Sequence, residues 1–214
     1  MTGAFPGELV LPFVVRVERA DPPARTDALE AAARGALLML TSDDPTWAAA
    51  VAEWDGRRIR KVVRRARGAE WRRALTVDGL DVVQGTAQLR VYPPVPVDDW
   101  PPELSRLQVA GTNLDDPEEP DPPAPGRPLV LLSPHAAMST GKAMAQVAHA
   151  AQLGWRAADE AQRTRWAADG FALAVRDASE SQWQTALEAE APVVHDGGFT
   201  EVEPGTATAA IVLP

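Results

Sequence analysis

The sequence predicts an α/β protein built as two tandem small α/β sandwiches, each a mixed four-stranded sheet flanked by helices. Three observations carry this reading. An acidic, proline-rich stretch, "NLDDPEEPDPPAPG" at residues 113–126, interrupts the chain, and the order of apolar runs on either side of it is the same. "VRRARGAEWRRAL", residues 63–75, aligns without a gap on "VRDASESQWQTAL", residues 175–187, with Val, Arg, Ala, Trp, Ala and Leu coinciding. Each copy then turns back into two short strands, "DVVQG" and "AQLRVYPP" in the first, "PVVHDGG" and "ATAAIVLP" in the second. A duplicated strand-helix-strand-helix-strand-strand unit accounts for all three.

In chain order, the first unit (residues 1–112) opens on the apolar strand "LPFVVRVERA" and continues into the alanine-rich helix "RTDALEAAARGALLML". A strand-helix-strand crossover implies a parallel strand pair, and the two closing strands supply antiparallel edges. Trp71 and Trp183 occupy equivalent helical positions and are expected to anchor their helices on the sheets. Prolines at 117, 120, 122, 123 and 125 keep residues 113–126 from continuing as helix or central strand, so this stretch reads as a linker. The second unit (residues 127–214) repeats the order with "RPLVLLSPH" and then "TGKAMAQVAHAAQLGW".

Composition narrows the chemistry. The chain has no cysteine, which excludes disulfides, thiolate metal sites and cysteine nucleophiles, and three histidines without a metal-ligand spacing. No apolar run reaches the roughly 18 residues of a membrane span, and the N-terminus lacks the features of a signal peptide, so a cytoplasmic location is expected. A net charge of -9 argues against unspecific nucleic-acid binding. One basic patch stands against that balance: Arg57, Arg58, Arg60, Lys61, Arg64, Arg65 and Arg67. On a strand, alternate members of that run would share a face, as a charged edge, as a cluster paired with the acidic linker, or as a contact for an RNA backbone.

The long helix of the second unit poses a narrower question. At 100° per residue Lys142, Gln146 and His149 sit at about 0°, 40° and 340°, one polar stripe opposite Met144, Val147, Ala148 and Ala151. Farther on, His195-Asp196-Gly197-Gly198 and Glu203-Pro204-Gly205-Thr206 are turn signals. Spacing alone leaves the stripe an ordinary amphipathic face and Asp196 a turn residue.

Taken together, Met138, Gly141-Lys142, Ala145-Gln146, His149-Ala150, then Asp196, Gly198, Thr200, Pro204-Gly205 and Thr208 resemble the signature of the peptidyl-tRNA hydrolase type 2 family. That family's helix motif reads M-x-x-G-K-x-A-A-Q-x-x-H-A and its C-terminal motif D-A-G-x-T-x-x-x-P-G-S-x-T. The resemblance spans residues 127–214 and implies hydrolysis of the ester bond of peptidyl-tRNA without metal or cofactor. Lys142, Asp196 and Thr200 are then the expected catalytic residues, with Gly141, Gln146, His149 and Thr208 on the substrate. The sequence departs from the motif at Thr140, Phe199 and Glu201, each change removing a positive charge or a donor. In the first unit Asp27, Ala31 and Arg34 stand where Lys142, Gln146 and His149 stand in the second, so that copy is expected to be catalytically dead. It is expected to serve as the second half of an internal pseudo-dimer within a monomer. The alternative is a noncatalytic RNA- or protein-binding module on the same fold.

Overall fold

A computed structural model describes residues 7–57, 60–197 and 201–214. The first unit runs β1 (Leu9–Arg16), α1 (Arg25–Leu40), α2 (Ala48–Asp55), β2 (Arg60–Ala66), α3 (Gly68–Ala74), β3 (Leu80–Gln84) and β4 (Ala87–Val91), then a two-residue β5 (Val95–Pro96) and a single-turn α4 (Pro102–Ser105). The second runs β6 (Leu129–Leu132), α5 (Thr140–Ala157), α6 (Glu160–Ala168), β7 (Ala174–Asp177), α7 (Glu180–Glu188), β8 (Val193–His195) and β9 (Ala207–Val212). Sheet orders are β2-β1-β4-β3, with β5 added beside β1, and β7-β6-β9-β8.

Registers match as well. β1 pairs parallel to β2 with Phe13 opposite Val63, and β6 pairs parallel to β7 with Val130 opposite Val175. The other two strands of each sheet are antiparallel. Two mixed sheets flanked by helices are therefore present, in the repeated order that the sequence predicts. The helices α2 and α6 were not expected; each follows the long helix of its unit, so they extend the repeat. Both are too short, at 8 and 9 residues, to carry a decisive apolar period.

Alternation along the strands fixes the layers. Leu11, Phe13 and Val15 of β1 and Val130 and Leu132 of β6 face one common core, with Leu29 and Leu37 of α1 and Met144 and Val147 of α5. Val14 points outward to Trp71, Ala74 and Tyr92, and Leu131 outward to Trp183 and Ala186. Trp71 and Trp183 thus anchor α3 and α7 on the outer faces. The central layer is the α1–α5 pair, the most extensive contact between elements in the molecule, sandwiched by the two sheets. Both helices bury most of their residues, and the polar groups on them are few and mostly paired. Residues 113–126 have no helix or strand, yet they are fastened: Asp116 accepts hydrogen bonds from the Thr26 amide and hydroxyl, both at 2.8 Å, and Leu114 N–H donates to Thr140 Oγ1 at 2.9 Å.

Gly154 lies where α5 meets β9, and a Cβ there would stand 2.6 Å from Ile211 Cδ1 and 3.1 Å from its Cγ2. Ile211 is fully buried and has little room to yield. Gly154→Ala is expected to lose ~1–3 kcal/mol by overpacking, outweighing the ~1 kcal/mol that alanine gains in a helix. Combined with Ile211→Val, which removes the nearest atom, the loss in urea unfolding should shrink. A stabilised single variant would contradict this packing.

Candidate functional site

The long helix begins at a well-satisfied cap. Ser139 Oγ accepts from Lys142 N–H at 3.3 Å, and Glu201 accepts from both the amide and the hydroxyl of Ser139 at 2.7 Å each. Gly141 N–H donates to the Thr112 carbonyl at 3.1 Å, so this amide serves the chain itself rather than an external phosphate. A carboxylate at this end complements the helix dipole.

One turn in, the β8–β9 turn meets the helix. Lys142 Nζ donates to Asp196 Oδ2 at 2.5 Å, and Gln146 Nε2 donates to the same oxygen at 2.9 Å. Gln146 Oε1 accepts from Thr208 Oγ1 at 2.6 Å, and Thr208 also reaches the Val194 carbonyl at 3.2 Å. The turn is closed by Asp196 N–H on Thr206 O at 2.9 Å and Gly205 N–H on Asp196 O at 2.7 Å. The structure thus gathers Lys142, Gln146, Asp196 and Thr208 into one network across 54 residues between lysine and aspartate. The lysine and aspartate side chains keep only 12% and 5% of their surface. Thr200, expected beside them, lies outside the described residues, as do Phe199 and Arg58.

His149 belongs elsewhere along the stripe. Its Nδ1 stands 3.2 Å from Lys61 Nζ, contributed by β2 of the first unit. Lys61 also donates to Gln152 Oε1 at 2.5 Å; Gln152 Nε2 donates to Asp55 Oδ1 at 2.5 Å, and Arg156 donates to the same oxygen at 2.6 Å. The polar stripe of α5 therefore continues through Gln152 and Arg156, at about 280° and 320° on the same wheel. The second unit satisfies its start and the first unit satisfies its end. Sequence reasoning missed Gln152, Arg156 and Asp55, and named Glu201 only as a departure from the motif, without its contact to Ser139; following the stripe two turns further would have found the first two.

Lys61 corrects the reading of the basic run as an exposed face. It is 8% exposed, because its position alternates with Val63 on the inner side of β2. Its neighbours are engaged as well: Arg60 with Glu8, Arg64 with the Ser105 and Leu107 carbonyls and the face of Trp100, and Arg65 with Gly111 and Gln108. Arg57, paired with Glu53, and Arg67 remain exposed.

In the first unit, the start of α1 also meets a turn, with the chemistry reversed. Asp27 Oδ2 accepts from the amide and the hydroxyl of Thr86, both at 2.7 Å, and among the described residues Asp27 has no cation partner. Arg34, at the position of His149, donates to Gly170 O of the second unit at 3.2 Å and to Gln84 Oε1 at 2.7 Å. No family model matches the chain.

Burial first, then the positive charges of Lys61 and Lys142, hold the His149 imidazole well below the usual histidine range. The unfolded chain takes up this proton near pH ~6.5 while the folded chain resists it, so stability falls as pH drops below that value and is unaffected above it. Urea unfolding at pH 7.5 and 5.5 should show a smaller acid loss in His149→Gln than in the parent, by up to ~1.4 kcal/mol. Equal losses would mean that the ring titrates as it does in water.

Proposed function

We propose that the chain hydrolyses the ester linking a peptide to the terminal ribose of tRNA, with its centre at Lys142 and Asp196. The observation that carries the proposal is the convergence of Lys142, Gln146, Asp196 and Thr208, the residues shared with the type 2 peptidyl-tRNA hydrolase motifs, on a single carboxylate oxygen and its amide partner. Ester hydrolysis needs an aimed water and a positive group for the oxygen that gains charge. In the proposed reaction Asp196 orients the water and receives its proton. Lys142 transfers its contact from Asp196 to the carbonyl oxygen as charge develops, and the ribose oxygen leaves with the proton. Gln146, clamped by Thr208, keeps Asp196 in place while the lysine moves. The first unit takes the part of a second subunit within one chain. Phosphate contacts of the tRNA backbone fall to the exposed Arg57 and Arg67, at the two ends of β2, with Arg72 and Arg73 on α3.

A second reading rests on the closure of the site. Glu201 is held on the helix cap, and Lys142 and Asp196 already hold each other, which also suits a noncatalytic RNA-binding module. Incubation of the purified chain with an N-blocked aminoacyl-tRNA separates the two. Release of free tRNA is expected, falling at least ~100-fold in Asp196→Asn, which keeps the shape and the lysine contact but not the base. A wild-type chain that binds the tRNA without cleaving it would establish the second reading, and one that does neither would reject both.

A further inference from the structure

Outside the proposed centre, the best-defined polar cluster is the one the first unit inserts against α5. Its central atom is the Lys61 amine, and the geometry assigns its protons. Gln152 donates through Nε2 to Asp55, so its Oε1 faces Lys61 and requires a donor there. The indole of Trp54 lies 4.8 Å from Lys61 Nζ, and an aromatic face attracts N–H rather than a lone pair. His149 Nδ1, at 3.2 Å, is the third acceptor. Burial, then the Arg156 charge, pull the Lys61 amine well below its ordinary pKa while Asp55 opposes them; as an ammonium, with three donors and no lone pair, it matches this set one for one.

We propose that Lys61 is a positioning residue for the second unit: it locks the His149 ring with its proton on Nε2, so that the ring presents one fixed donor on the α5 stripe, two turns along from Lys142. The assignment follows from the tautomer rule, since a ring nitrogen that accepts leaves the proton on the other. His149 is half-buried, and its one hydrogen bond among the described residues is at Nδ1. The charges that face this pair come from three elements: Lys142 and Arg156 on α5, Asp55 at the end of α2 and Lys61 on β2. Lys61 and Lys142 together oppose a second proton on the ring. Resting on the tRNA reading above, the recipient of the Nε2–H is an acceptor on the 3′-terminal nucleotide of tRNA. The first unit is then a working part of the site although it lacks a reactive pair of its own.

Imidazole proton–nitrogen correlation spectra of the full chain test the tautomer directly, with His149→Gln identifying the resonance. The expected result is a neutral ring protonated on Nε2 at pH 7 that becomes a mixture of tautomers in Lys61→Met. A proton on Nδ1 in the wild type overturns the proposal, and this arm needs no destabilising variant. The second arm compares affinity for deacylated tRNA with affinity for the same tRNA lacking its terminal adenosine. His149→Gln and Lys61→Met should each reduce the preference for the intact end by about 3- to 10-fold, the effect of one hydrogen bond. An unchanged preference in His149→Gln overturns the role of the donor. If the tautomer and the end preference hold but the wild type cleaves no N-blocked aminoacyl-tRNA, the hydrolytic reading fails while the positioning role stands.

Discussion

Two alanine-rich helices packed against each other hold this molecule together. α1 and α5 have alanine or glycine at most of their buried positions, so their backbones approach closely while the larger Leu29, Leu37, Met144 and Val147 reach sideways into the sheets. Neither helix has a polar face wide enough to leave in water, so each depends on the other unit for cover. The result is a single core that runs from one sheet through the helix pair to the other, rather than two cores joined by a tether. The polar contacts follow the same geometry. α1 lies over the second unit's β7, where Glu30 accepts from the Val175 amide and Arg176; α5 lies over β2, where Lys61 and Asp55 meet it. Burial raises the Glu30 carboxyl above its ordinary range, with Arg176 and the Val175 amide opposing that shift.

Within this near-symmetric frame the two copies have diverged at equivalent positions. Each long helix starts against a strand turn of its own unit and ends against a strand of the other. In the first copy the contact with the turn is a carboxylate taking hydroxyl and amide protons; in the second it is a lysine and an amide converging on a buried carboxylate. The first arrangement ties the start of the helix to the neighbouring turn. The second places opposite charges in a site shielded from water, where their fields are far stronger than at the surface. The first copy instead supplies residues to the contact between the units, Arg34 and Lys61 among them.

The fold was legible because its signals are local and repeated: alternation in β1 and β6, the tryptophan-bearing helices, and a proline-rich break between copies. The meeting of Lys142 with Asp196 was legible only through motif resemblance, since a lysine on a helix and an aspartate in a turn have no spacing that announces contact. The helix-wheel period makes His149, Gln152 and Arg156 legible as a stripe, but not the first-unit residues that meet it. Lys61 sits in a run of arginines and reads as surface; only the parity of its position with Val63 and the cover of α5 bury it. Likewise Glu201 reads only as a departure from the motif, because its partner Ser139 lies 62 positions away. Contacts made by docking one copy on the other leave no period in either copy.

If the shared helix pair makes one body of two repeats, the sheets cannot unfold separately. Hydrogen exchange of the full chain across a series of denaturant concentrations measures this, reading the amides of β1 (Leu9–Arg16) and β6 (Leu129–Leu132). The account predicts that both strands converge on one opening free energy with the same denaturant dependence, as members of a single cooperative unit do. Retention of protection in one strand after the other has lost it would contradict the account, because each repeat would then hold its own core.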